Sequence, residues 1–342
     1  MFQNNPSHKA IWREACRDSV EFPPFMANHL PMILIALDRM GATDEQISTY
    51  PSRYRAVTPL VSIEMPSAGR INHDNWKRHL GVRDYELDYR AFFIGVTSDI
   101  GIEAALDTYL DDLIPGIASS AMHALMRLAY AKISNNAEEV GVALGYWAMA
   151  YLTLGDLSGP GNTEDPVEIL LRMHDMSDLK ETTSTPNDLL WEWMVETASK
   201  PSFSEVGSWL TITDKTMGKL RQAAAILMAS TMTFEALHAV TALHWLRILD
   251  LEPKANAIAM RGYWTAVASV YQKIGMPMPL GSEAIEEMRN ADCPDWEEIR
   301  AKACASDDEH DISFVFSSGE EFDYTGDRIF QVLSARRMGL IN

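Results

Sequence analysis

The sequence predicts a mainly α protein, one large multi-helix bundle over residues 1–342, and three observations carry that reading. Apolar residues recur at i, i+3 and i+4 through most of the chain, whereas runs of alternating β-branched residues are nearly absent. The composition, 47% hydrophobic and 23% charged, suits a chain that buries a large core. No internal repeat, heptad series or low-complexity tract interrupts the pattern, which leaves a bundle of long helices as the expected architecture.

The elements follow in order. From Met26 to Met40 the positions Met26, Leu30, Ile33, Leu34, Leu37 and Met40 form one apolar face, and Gly41 is the expected stop. Thr43, with Gln46 three residues later, has the pattern of a capping box and opens a second helix. Residues 57–70 carry prolines and a glycine and read as a connecting loop before a third helical region near Asn75–Leu80. The aromatic-rich stretch 85–109 is helical in pattern, and Pro115-Gly116 punctuates it. Helices are then expected over 117–134 and 137–154. The second contains the run VGVALGYWAMAYLTLG, which falls short of the roughly 20 apolar residues that cross a bilayer and reads as a helix buried on all sides. Residues 155–166 are the strongest loop signal and 182–188 the next, each a surface loop or a hinge. From 215 to 251 an unbroken stripe through Leu220, Ala224, Leu227, Thr231, Phe234, His238, Ala242, Trp245 and Leu249 predicts one long helix. A helix over 255–274, an acidic stretch read as a solvated face rather than a calcium loop, and a short helix at 327–337 complete the chain.

Charge and cysteine usage narrow the function classes. With 29 Lys and Arg against 48 Asp and Glu, the formal charge is −19, which argues against binding nucleic acid. Cys16, Cys293 and Cys304 are scattered and form no CxxC, so neither a disulfide framework nor a cysteine zinc site is expected, and a reducing, cytoplasmic setting fits. The first twenty residues mix charges in a way unlike a secretory signal. The motifs GxGxxG after a strand, GxxxxGK[ST], HExxH and GxSxG are absent, which removes the usual support for nucleotide, zincin and hydrolase readings. A nicotinamide cofactor such as NADPH therefore has no motif behind it.

Histidines in apolar settings are the remaining chemical signal. His238 lies in the middle of the long stripe, and His29 is placed on the inward face of its helix beside Met26 and Ile33. His123, Arg127 and Tyr130 share one face at i, i+4 and i+7, and His310 lies among carboxylates in DDEHDIS. A single such histidine is more often a hydrogen-bonded core residue than a ligand. Several on different helices fit a bundle interior that holds iron, copper, nickel or zinc. Arg127 needs a partner, through a structural salt bridge or a substrate. His8, His73, His79, His174 and His244 are weaker candidates, with His73 and His79 flanking Trp76 as the lining of a pocket mouth.

Four strings, FMANHLPMILIALDRMGA (25–42), LIPGIASSAMHALMRLAYA (113–131), FEALHAVTAL (234–243) and DDEHDIS (307–313), together resemble the segments that mark the questin oxidase-like family. Members of that family are oxygenases of aromatic polyketides, and one branch holds a mononuclear non-haem iron with four histidines and a carboxylated lysine. The resemblance implies His29, His123, His238 and His310 as metal ligands. Three residues after the last of these, where the family pattern has the lysine, this sequence has Ser313. The anionic ligand is then missing or replaced by Asp308, Glu309, Asp311, water or substrate.

The expectation is a metal-dependent oxygenase, with Fe(II) as cofactor, that oxidises or cleaves an aromatic, phenolic small molecule with O2. Arg127 and Tyr130 are the catalytic candidates, Arg127 by orienting an anionic group, and Trp76 and Tyr146 are expected to pack with Tyr130 on the substrate rings. No nucleic acid or membrane partner is expected. The alternatives are a catalytically silent scaffold that binds a ligand or protein, and a zinc hydrolase using the same histidines.

Overall fold

The computed structural model of the chain describes residues 5–63, 69–181 and 184–342. In chain order, α1 (Pro6–Ala15) leads to a hairpin of β1 (Glu21–Phe22) and β2 (Met26–Ala27), paired antiparallel with Glu21 opposite Ala27. Then come α2 (Leu30–Met40), α3 (Asp44–Val57), α4 (Glu86–Ile100), α5 (Ile102–Leu113), α6 (His123–Ser134), α7 (Ala137–Met149), α8 (Pro166–His174) and α9 (Leu190–Ala198). The chain continues through α10 (Thr216–Thr231), α11 (Phe234–Leu249), α12 (Pro253–Tyr271), α13 (Ser282–Arg289), α14 (Trp296–Cys304), α15 (Glu309–Thr325) and α16 (Ile329–Arg337). The mainly α class is thus observed, and no described helix is long and apolar enough to cross a membrane.

Local chemistry explains the boundaries. Gly41 stops α2 at φ 85°, and the capping box of Thr43 and Gln46 opens α3 as expected. The helix expected from Met26 begins only at Leu30, because Pro31 is confined to a first turn and residues 26–27 pair in the hairpin. His29 is therefore the N-cap of α2, not a residue on its face. The expected helix over 85–109 divides at Gly101, φ 83°, and the region near Asn75–Leu80 is a 3₁₀ turn, Trp76–His79. The single long helix over 215–251 is corrected to two. Met232 takes a left-handed conformation, φ 51°, and Thr233 caps the new helix by accepting from the Ala236 N–H at 3.3 Å. The acidic stretch is solvated as read, its carboxylates exposed or half-buried, and the long buried run of α15 begins only at Ile312. Parts of the loops at 57–70 and 182–188 lie outside the described residues.

The chain divides into two compact units. Unit 1 comprises residues 1–64, 224–244 and 279–342; in it α15 packs on α2, α14 and α16. Ile299, Ala303, Val315, Ala335 and Met338 form part of its core. Unit 2 comprises residues 65–223 and 245–278, and its main contact is α4 against α7. That approach depends on glycine: a Cβ at Gly141 would sit 2.7 Å from the Ile94 backbone nitrogen, and one at Gly145 3.0 Å from that of Arg90. Glu139 through Met149 of α7 are all buried, so this helix is enclosed as its uncharged run predicts.

Candidate functional site

Three of the four singled-out histidines meet in unit 1, two aimed by main-chain carbonyls and one by a carboxylate. Asn28 fixes the entry to α2, donating from Nδ2 to the Ser19 carbonyl (3.0 Å) and accepting from the Leu30 N–H (3.1 Å). The next residue, His29, donates its backbone N–H to the Tyr54 hydroxyl (3.2 Å), and its Nδ1 lies 2.9 Å from the Ala27 carbonyl. His238 Nδ1 lies 2.9 Å from the Phe234 carbonyl one turn earlier in α11. Asp308 caps α15 by accepting from the His310 N–H (2.9 Å), and the same Oδ1 is 3.0 Å from His310 Nδ1. The ring centres of His29 and His310 are 5.0 Å apart, and those of His238 and His310 are 5.7 Å apart.

These contacts assign the tautomers. A carbonyl oxygen only accepts, so Nδ1 of His29 and His238 carries the proton and Nε2 of the neutral ring keeps its lone pair. The carboxylate of Asp308 likewise requires a proton on Nδ1 of His310. Anchoring of Nδ1 by an oxygen acceptor is the arrangement that orients imidazoles for metal ligation.

The carboxylates around His310 are engaged to different degrees. The hydrogen bond from His310, helped by its backbone N–H and by Arg337, holds the Asp308 carboxyl down at about 2 despite its burial. Asp311 pairs with Arg337 (2.6 Å) and accepts from Ser306 (3.0 Å). Glu309 Oε1 is 3.9 Å from Nδ1 of both His29 and His310, so it faces the anchored nitrogens rather than the lone pairs. Burial first, and then the Glu309 charge, push the phenols of Tyr50 and Tyr54 upward, which keeps both protonated. Ser313 is buried, and its hydroxyl has no hydrogen-bond partner among the described residues.

The remaining expected site residues lie in unit 2. His123 opens α6, with Nδ1 2.5 Å from the Ser120 carbonyl and its ring centre 6.5 Å from that of Trp245. It follows three successive non-glycine residues in left-handed conformations, Ser120 (φ 48°), Ala121 (φ 54°) and Met122 (φ 69°). Arg127, fully buried, pairs through Nε with Glu139 at 2.7 Å, which supplies the salt-bridge partner it requires. Tyr130 is fully buried, and the Tyr146 hydroxyl donates to Ser120 Oγ at 2.8 Å. Trp76 packs edge-on against Phe93 and Tyr109, at ring-centre distances of 5.8 and 5.2 Å. Among the weaker histidines, His244 is buried in unit 1 against Ser317 (3.1 Å), and His73 meets the Tyr109 hydroxyl at 2.6 Å in unit 2. Phe234 was legible only as part of an apolar stripe, yet its ring stands 4.8 Å from that of His238 and 4.6 Å from that of His310.

The fold is a mainly helical scaffold in which three neighbouring imidazoles are each anchored at Nδ1. The chain belongs to the questin oxidase-like family, whose model matches residues 26–317. At the coarse level that membership carries, it is an oxidoreductase of the oxygenase type. No curated protein matches the chain.

Proposed function

We propose that the protein is a non-haem, iron(II)-dependent oxygenase that oxidises or cleaves an aromatic, phenolic, polyketide-like small molecule with O2. The observation that carries this reading is the His29, His238 and His310 group, in which every Nδ1 is held by an oxygen acceptor. Ring-centre spacing is of the order that ligands of one ion show, and a nitrogen of His29 and one of His310 lie within 4.8 Å of each other. With metal–nitrogen bonds of about 2.0–2.1 Å, ring centres stand about 3.2 Å from the metal, hence roughly 4.5 Å apart at a right angle and 5.5 Å apart at 120°. The observed 5.0 and 5.7 Å lie within a few tenths of an ångström of that range.

His123 joins the set on the sequence resemblance. Its anchored Nδ1 and the left-handed run before it support the role, because strain of about 1–3 kcal/mol per residue tends to persist at functional sites. Bound iron(II) would supply the electrons that overcome the spin barrier of O2. The protein orients the imidazoles: Ala27, Phe234 and Asp308 each hold an Nδ1, and Arg337 holds Asp308 at 3.2 Å. Ser313 carries no charge at the position of the family's lysine, and Asp308 and Asp311 are committed to Arg337. A neutral imidazole set therefore leaves the ion its full charge, which favours an anionic phenolate as substrate.

Elemental analysis of protein purified without chelator, together with oxygen uptake, tests the proposal. Stoichiometric iron is expected in the parent, lost in His238→Ala and kept in His174→Ala. Stoichiometric zinc without oxygen consumption would replace the oxygenase with a hydrolase, and a protein that takes up no metal would be a silent scaffold.

A further inference from the structure

We infer that Phe234 is the specificity-determining platform on which a planar phenolic ligand stacks beside His238 and His310. The inference takes its ligand class from the proposed oxygenase function, but its test does not require that function to hold. Phe234 is 42% exposed, although it is a large apolar side chain. Exposure alone says little, because single apolar residues are common on protein surfaces. Its position is what matters: the phenyl ring stands at steep angles, 69° and 67°, to the His238 and His310 rings. The apolar surface that remains open to solvent is therefore placed directly beside two imidazoles.

The residue is also held in place from its own backbone. The left-handed turn at Met232 and the Thr233 cap set the first residue of α11, and the Phe234 carbonyl in turn holds Nδ1 of His238. One residue thus aims an imidazole with its main chain and presents an aromatic ring beside it with its side chain. A ring on so fixed a backbone loses little freedom when a flat ligand stacks on it, and a planar aromatic gains most from such a surface. Small ligands directed only at the histidine nitrogens would not sense the ring.

The test titrates full-length parent, Phe234→Ala and Phe234→Trp, each metal-free and cobalt(II)-loaded, with 1,8-dihydroxyanthraquinone followed by its visible absorption. Azide binding to the cobalt form serves as the small-ligand control. Phe234→Ala is expected to weaken dye binding about tenfold or more, the order of one lost aromatic stack together with its buried area. Phe234→Trp restores it, and azide affinity stays unchanged. Dye binding to Phe234→Ala equal to that of the parent, or no dye binding by the parent in either form, overturns the inference. A parent that takes up no cobalt sinks the metal-centred function instead, while the metal-free titrations still decide the role of Phe234. If Phe234→Ala fails to fold, as read by circular dichroism, Phe234→Leu replaces it and the same outcomes apply.

Discussion

The histidine cluster of unit 1 and the α4–α7 contact of unit 2 handle polarity in opposite ways. In unit 2 the buried charge is closed off pairwise: Arg127 meets Glu139 at 2.7 Å, and the helices beside it approach through Gly141 and Gly145 with no space for a methyl group. In unit 1 the Nδ1 atoms of His29, His238 and His310 are each held by an oriented acceptor, with an exposed phenyl ring against the last two of them. The first arrangement pairs opposite charges away from water and serves stability. The second collects three imidazoles from distant parts of the chain, which supports the ligand role proposed for them.

Substitutions should separate the two regions. The largest effect is expected at Glu139→Ala, which removes the carboxylate beside a fully buried guanidinium and should cost about 3–5 kcal/mol in urea unfolding. Metal uptake in that variant's folded fraction should persist. Next, a free-metal concentration about 100 times the dissociation constant should stabilise the parent by about 2.7 kcal/mol. That gain should vanish in His238→Ala, while the metal-free stabilities of the two proteins stay close. A parent whose melting curve ignores metal would remove the contrast between the regions. Gly141→Ala follows at about 1–3 kcal/mol, an overpacking cost that outweighs the better helix propensity of alanine because the obstructing Ile94 atoms belong to the backbone. An unchanged unfolding midpoint would mean that α4 and α7 do not meet so closely.

The smallest effect concerns reactivity. Burial pushes the Cys304 thiol up to about 11, so at pH 8 it stays protonated and should resist a disulfide reagent until the protein unfolds. Its modification rate should climb only as pH nears that value. Rapid modification at pH 8 in the folded protein would place the thiol outside the core.

Much of the fold is readable from short stretches of chain. The stop at Gly41, the box of Thr43 and Gln46 and the enclosed helix around VGVALGYW each depend on residues within a few positions of one another, and all three are observed. The break at Met232 is not readable in this way, because an apolar stripe runs straight through it and a left-handed methionine has no composition of its own. The first helix and the burial of α15 were likewise hidden, the latter behind the acidic residues of its opening turn.

The histidines divide along the same line. An imidazole in an apolar setting is visible in one dimension, so His29, His123 and His238 could be singled out from sequence alone, and His310 by its place among carboxylates. Their helical positions could not: His29 belongs to a cap and not to a helix face, because Pro31 and the hairpin delay the start of α2. Only the tertiary structure brings His29, His238 and His310 together from segments some 200 and 70 residues apart in the chain. It alone shows that Arg127 is answered by Glu139, that Asp308 and Asp311 are tied to Arg337, and that Phe234 stands beside the imidazoles. Periodicity and capping are set by neighbours three or four residues away, whereas convergence is set by which distant faces bury one another, and that choice is made by packing in three dimensions.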